Sequence, residues 1–376
     1  MKLFECQNCG HPLYFENTRC ESCGLKLGYL PERERVTALK EIDGELRSLA
    51  DPVGRYRECA NAQHDACNWL IPKDWPEDFC AACRHNRTIP DLSVPQNLQN
   101  WRKLETAKHR LFYTLLKLRL PLVNKVQDET GLAFDFLAGP PGGPVMTGHA
   151  NGLITINISE ADDSERERQR QNLSEPYRTL LGHFRHEIAH YYWDRLVKDS
   201  PKLAEFRELF GDEQQDYAEA IKQHYANGPP ADWPERFVTA YASSHPWEDF
   251  AETWAHYFHM LDTLETAAAY GLRVRPRVTM GADIATVVDF DPHTAAMDRI
   301  IDSWLPLTFA VNSINRSMGL PDLYPFILSP AVIVKLSFIH DLIRKANARA
   351  SEDQPRGTLR ALVAGLRRSQ GSPDTA

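Results

Sequence analysis

The sequence predicts an α+β fold: a mostly helical body around a small sheet, preceded by two cysteine-rich modules. Three observations predict it. All eight cysteines lie between Cys6 and Cys83. Beyond them, most of the chain carries apolar patterns with the period of a helix. Two short runs, Leu132–Leu137 and Gly152–Ile158, read as strands, the second with Leu153, Thr155 and Asn157 alternating with Ile154, Ile156 and Ile158.

The cysteines come first in the chain. Cys6-x2-Cys9-Gly and Cys20-x2-Cys23-Gly are knuckles ten residues apart. They suit one structural zinc with four thiolate ligands, the glycines letting the backbone turn toward sulfur. Cys59, Cys67, Cys80 and Cys83 offer four more thiolates at less regular spacing, with His64 and His85 as candidate substitutes for one of them. We read two separate zinc sites, and spacing alone leaves an interleaved arrangement open. Clustered C-x-x-C pairs in a reducing compartment point to metal, not disulfides. The modules occupy residues 1–28 and 55–90, joined by a charged, partly helical connector over 29–54. Both are too small to fold on apolar burial alone, so zinc would supply their folding free energy. Protein recognition, nucleic-acid contact and a stabilising cap all remain open as their role.

A long helix is predicted over Leu98–Leu120, with Trp101, Leu104, Leu111, Leu115 and Leu118 on one side and Pro121 as its stop. The two strands follow, with AGPPGGP between them as a turn. Further helices are predicted at Pro176–Val197, Lys202–Phe210, Tyr217–Tyr225, Trp247–Ala269, Thr294–Met318 and Ala331–Ala346. Residues 95–350 read as one domain and 351–376 as a loose tail.

The bulk numbers exclude some functions. The chain is 43% hydrophobic and 25% charged, with net charge −8. No stretch approaches the roughly 18 apolar residues of a membrane span, and the N-terminus has no signal-peptide pattern. A cytoplasmic location is expected. Residues 1–90 hold twelve Lys/Arg against fourteen Asp/Glu, which weighs against a nucleic-acid partner.

The sharpest motif is His186-Glu187-Ile188-Ala189-His190. On a helix, residues i and i+4 project from one face, so two imidazoles can reach one tetrahedral zinc. The intervening Glu187 can then hold and deprotonate a water on that zinc. The bland alternative is a pair of core histidines on an ordinary helix. Downstream, Pro246 opens a second helix whose first turn is acidic. There Glu248 and Glu252 stand at i and i+4, the first as a third ligand and the second as hydrogen-bond acceptor from a ligand histidine. Asp194, four residues after His190, is another candidate to orient an imidazole. His245, His256 and His259 are further candidate ligands.

H-E-x-x-H followed by E-x-F-A-E resembles the gluzincin metallopeptidases, particularly the anthrax-lethal-factor type. The resemblance implies a zincin-like domain, Glu248 as the third ligand, and a tyrosine seven residues before it that assists the transition state. That position is Tyr241. One departure is the 57-residue gap between His190 and Glu248, long for many gluzincins and holding two extra helices. More broadly, the chain resembles, nearly end to end, the bacterial family of zinc-binding metallopeptidases with an N-terminal zinc ribbon. CQNCG, CESCG, CNWL, GLITINI, EPYRTLLGHFRHEIAHYYWD, YASSHPWEDFAETWAHY and NRSMGLPDLYPF carry that resemblance.

The expected function is a zinc-dependent endopeptidase acting on a protein or peptide substrate, with one catalytic and two structural zincs. Glu187 serves as general base and Tyr241 as oxyanion donor. Gly152, Ile154 and Ile156 belong to a strand that can hold extended substrate along a free edge beside the zinc, or that is plain core. The alternative function is a zinc-ribbon binding module with an inactive or regulatory zincin domain.

Overall fold

The cysteine-rich region is built of strands. We describe it from a computed structural model that covers residues 2–139, 147–172, 177–277 and 284–353. The short hairpin β1 (Phe4–Glu5) and β2 (Pro12–Leu13) carries the first knuckle. Then β3 (Leu27–Leu30), β4 (Arg35–Ile42), β5 (Glu45–Ser48), β6 (Arg55–Glu58) and β7 (Leu70–Pro72) form one antiparallel sheet in chain order. This corrects the partly helical connector expected over 29–54. Val36, Thr37, Ala38 and Leu39 are buried while Arg35, Lys40 and Glu41 face solvent. Asp43-Gly44 makes the two-residue turn between β4 and β5, with φ of 53° and 73°. Two left-handed residues are what a type I′ hairpin requires, and Asp-Gly supplies them at little strain.

The second sheet joins β8 (Asn86–Thr88) to three later strands. After α1 (Pro95–Lys117) come β9 (Ala133–Leu137), β10 (Gly148–Ala150) and β11 (Leu153–Asn157), and the order is β10-β11-β9-β8. β10 and β11 are antiparallel, while β11–β9 and β9–β8 are parallel. The rest is helical: α2 (Asp163–Asn172), α3 (Leu180–Leu196), α4 (Leu203–Phe210), α5 (Tyr217–Asn227), α6 (Trp233–Arg236) and α7 (Pro246–Ala269). A two-stranded ribbon, β12 (Arg273–Val274) and β13 (Thr286–Val287), precedes α8 (Met297–Ser317) and α9 (Pro330–Asp353). The fold is thus the α+β architecture expected, with predicted helices present at shifted ends. α1 stops at Lys117 because Arg119 turns left-handed (φ 48°) ahead of Pro121. α3 starts at Leu180, its N-cap Thr179 accepting from the Gly182 N–H at 3.0 Å. Most of the AGPPGGP turn, and the tail beyond Asp353, lie outside the described residues.

α1 is the hub. One continuous apolar core runs from Phe4 to Ile343, so the cysteine modules and the helical body share it. Phe15 and Tyr29 of the modules meet Tyr113 of α1 and Trp69 meets His109, with ring centroids 5.3 Å apart for Phe15–Tyr113 and 5.2 Å for Trp69–His109. Such aromatic pairs add roughly 0.5–1.5 kcal/mol each beyond their area burial. On its other side α1 is tied to α7 by buried polar bonds. Tyr113 Oη donates to Glu265 Oε1 at 2.8 Å, and Thr114 Oγ1 donates to Asp262 at 2.8 Å. Asp262 also pairs with Arg185 of α3. These ties fix α3 against α7, and the site lies between those two helices. Among the described residues, no helix is long and apolar enough to cross a membrane.

Candidate metal centre

Residues Phe184 to Trp193 of α3 are buried without a break, which places His186, Glu187 and His190 inside. The rings of His186 and His190 stand edge to face at 5.0 Å. α7 enters from the other side, with Pro246 in its first turn and His245 as N-cap, accepting from the Trp247 N–H at 3.1 Å. This brings Glu248 Oε2 to 2.9 Å from His186 Nε2 and 3.8 Å from His190 Nε2. The three ligand atoms all lie within 4.8 Å of one another, and all three residues are buried.

The environment fits a cation. Glu248 Oε1 accepts from Tyr217 Oη at 2.9 Å, but its Oε2 is sealed from solvent and, with His186 Nε2 2.9 Å away, meets no donor in hydrogen-bonding geometry among the described residues. A buried carboxylate oxygen without a donor is costly unless a positive charge meets it. Two imidazole nitrogens and one carboxylate oxygen are the donor set of a catalytic zinc with a fourth position left open.

The surroundings orient these donors. His186 Nδ1 lies 2.7 Å from Glu252 Oε1, and Glu252 Oε2 accepts from Thr239 Oγ1 at 2.8 Å. Burial would raise the Glu248 pKa, but His190, His186 and Tyr217 pull it down to about 2. Burial opposes a charge on His186, yet Glu248 and Glu252 on either side raise its pKa well above the ordinary value. His190 moves the other way, lowered by burial.

Glu187 is held by a part-buried relay. Its Oε1 lies 3.1 Å from His183 Nε2, and His183 Nδ1 lies 2.6 Å from Glu160 Oε2. Thr147 Oγ1 donates to Glu160 Oε1 at 2.5 Å. Burial disfavours a charge on His183, but the two carboxylates outweigh it and raise its pKa to about 9. At neutral pH this imidazolium donates to both. Tyr241 sits with its ring 6.0 Å from that of His186. Burial and then the Glu248 charge push its pKa well above 10, so its hydroxyl stays a donor.

Residues 97–342 match the family described as "Putative zinc-binding metallo-peptidase". The chain belongs to this family. Residues 3–94 match a zinc-ribbon domain. Full-length relatives occur in mycobacteria: uncharacterized proteins of Mycobacterium bovis and of two Mycobacterium tuberculosis strains are 42% identical over 91% of this chain and 95% of their own. No solved structure matches.

Within this zinc-binding family member the structure brings together His186, Glu187, His190, Glu248 and Glu252, with Tyr241 beside them. It also brings together Cys6, Cys9, Cys20 and Cys23, and separately Cys59, Cys67, Cys80 and Cys83. The two groups do not interleave. Other expectations are corrected. Asp194 faces Lys198, just past the end of α3, at 3.7 Å, and His190 Nδ1 has no partner among the described residues, so Asp194 does not orient that ring. β11 is an inner strand, paired on both edges, and Ile154 and Ile156 point into the core. Gly152 is a turn residue instead: its φ is 79°, and a Cβ there would stand 2.3 Å from Gly131 O. Gly152, Ile154 and Ile156 therefore offer no free edge. The edge strand next to β11 is β10, whose His149 ring lies 6.1 Å from that of His190. His256 binds Tyr324 Oη and His259 contacts Arg185, while His245 caps α7, so none of the three joins a metal group. His85 binds the Leu132 carbonyl and His64 rests against Trp101, so neither substitutes for a thiolate.

Sequence reasoning missed His183, Glu160, Thr239, Tyr217 and β10. Two of these had a signal: His183 stands four before Glu187, and Asn151-Gly152 is a hairpin dipeptide that demands a strand on either side.

Proposed function

We propose that this chain is a zinc-dependent endopeptidase carrying one catalytic and two structural zincs. The observation that carries the reading is the convergence of His186 Nε2, His190 Nε2 and the orphaned Glu248 Oε2, with Glu252 fixing His186 from behind. Zinc held there would polarise a carbonyl and lower the pKa of a water. Glu187, anchored through Oε1 by His183, keeps Oε2 to take a proton and pass it to the leaving amine. The protonated hydroxyl of Tyr241 donates to the carbonyl oxygen as it gains charge. β10 is the edge along which an extended peptide adds by backbone hydrogen bonds, which favours a protein or peptide substrate. Nucleic acid and membrane are not among the expected partners, in keeping with the net charge of −8. All eight cysteines are unpaired by disulfides, which fits two four-thiolate zincs and a cytoplasmic location.

The test combines metal content with cleavage. Elemental analysis should give about three zincs per chain, falling to about two in His186→Ala/His190→Ala. Glu187→Gln should keep its zinc yet leave a mixture of quenched fluorogenic peptides uncut where wild type cuts them. Full cleavage by Glu187→Gln, or two zincs in both wild type and the double variant, would end this reading.

A further inference from the structure

The second cysteine site has a fifth donor that lies outside the cysteine module. We propose that His109, on α1, is a reserve ligand of that site, able to hold the ion together with Cys67, Cys80 and Cys83 when Cys59 does not.

The distances carry the argument. Tetrahedral zinc with bonds of about 2.3 Å to sulfur has sulfur–sulfur edges of about 3.8 Å, and a sulfur–nitrogen edge of about 3.6 Å. The edges Cys6–Cys23, Cys9–Cys20 and Cys67–Cys80 are each 3.7 Å. His109 Nε2 stands 3.3 Å from Cys67 Sγ, 3.5 Å from Cys83 Sγ and 3.9 Å from Cys80 Sγ. It therefore caps the triangle of those three sulfurs at the spacing of a ligand, while Cys59 supplies the fourth thiolate to the same triangle.

The ring is also turned for the role. His109 Nδ1 lies 2.7 Å from the Glu105 carbonyl oxygen, which can only accept. Nδ1 thus carries a proton, and Nε2 is the ring atom that faces the sulfurs. A ligating histidine is held in this way, by a backbone carbonyl on its other nitrogen. The other reading is an Nε2–H shared among the thiolates, and the cadmium coupling sought below separates the two. His109 and the four cysteines are all buried, so solvent offers little in place of a lost thiolate.

His109 also lies in the stretch matched by the peptidase family, 26 residues beyond Cys83. The ion would thus bridge the ribbon and the catalytic body. This inference does not depend on peptidase activity.

The experiment uses the full chain, labelled with 15N-histidine and loaded with 113Cd2+. Cys59→Ala should bind as many equivalents of cadmium as wild type, whereas Cys67→Ala and Cys59→Ala/His109→Ala each lose one. The second-site cadmium resonance of Cys59→Ala should show one-bond coupling to a single histidine Nε2. Loss of the ion from Cys59→Ala, or its retention without that coupling, overturns the proposal. Should Cys59→Ala fail to fold, His109→Ala in the otherwise intact chain decides. Release of the second ion to EDTA should become about tenfold faster once the fifth donor is gone, and an unchanged release rate overturns the proposal.

Discussion

Replacing Glu252 probes the proposed catalytic centre without touching an atom that would meet the ion. Glu252 makes two short bonds, 2.7 Å to His186 Nδ1 and 2.8 Å to Thr239 Oγ1, so it sets both the tilt of the imidazole and its tautomer. Glu252→Ala removes the acceptor, leaves Nδ1–H unpaired in a buried site and frees the ring to turn. Losing such an outer partner weakens metal binding by about 10–100-fold, or roughly 1.4–2.7 kcal/mol. Glu252→Gln keeps an oxygen for Nδ1–H and loses only the charge, so it should fall at the lower end, near tenfold. The assay is zinc competition with a chromogenic chelator on the full chain, with His186→Ala/His190→Ala marking which ion belongs to this site. A Glu252→Ala variant that held this zinc as tightly as wild type would refute the positioning argument, and so would equal losses for Ala and Gln.

Other expectations follow from the same geometry. Tyr217→Phe removes the 2.9 Å donor to Glu248 Oε1 and should weaken the same zinc by about tenfold in that competition; unaltered affinity would mean that the hydroxyl is ornamental. His183 titrates near 9 in the folded chain, above its ordinary value of about 6.5. Its imidazolium therefore stabilises the fold fully below pH 6.5, and that contribution fades as pH rises through 9. Thermal midpoints of wild type should drop over this window, and His183→Gln should flatten the drop; parallel curves would contradict the relay. Trp69→Ala opens a cavity in the shared core and should cost roughly 3–5 kcal/mol. Calorimetry should show it lowering one common unfolding transition, and a separate, unshifted transition for the helical body would count against a shared core.

Much of the site was legible because its chemistry is tied to helical spacing. His186 and His190 at i, i+4, and Glu248 and Glu252 at i, i+4, each declare a face from the sequence alone. What faces what across the gap is a tertiary fact, so Tyr217 and Thr239 gave no local sign. The cysteine pairs announced their metals in the same local way, yet the strands between them were missed. In β4 the charges of Arg35, Lys40 and Glu41 read as a solvated connector, while Asp43-Gly44 was the better guide. The same oversight at Asn151-Gly152 hid β10 and assigned its edge to β11. The glutamate–histidine relay needed Glu160, 23 residues before His183, and only the folded chain shows that separation closed.

The core that runs unbroken from Phe4 to Ile343 bears on how this architecture is inherited. A zinc ribbon is often pictured as a detachable address label, free to be traded among genes. Here Phe15 and Tyr29 cover Tyr113, and Trp69 covers His109. Recombination that carried off the helical body without the first 94 residues would deliver a protein with an open aromatic wall. On this architecture the two parts travel together, and loss of order in the N-terminal cysteine modules would reach the helical body through their shared interior.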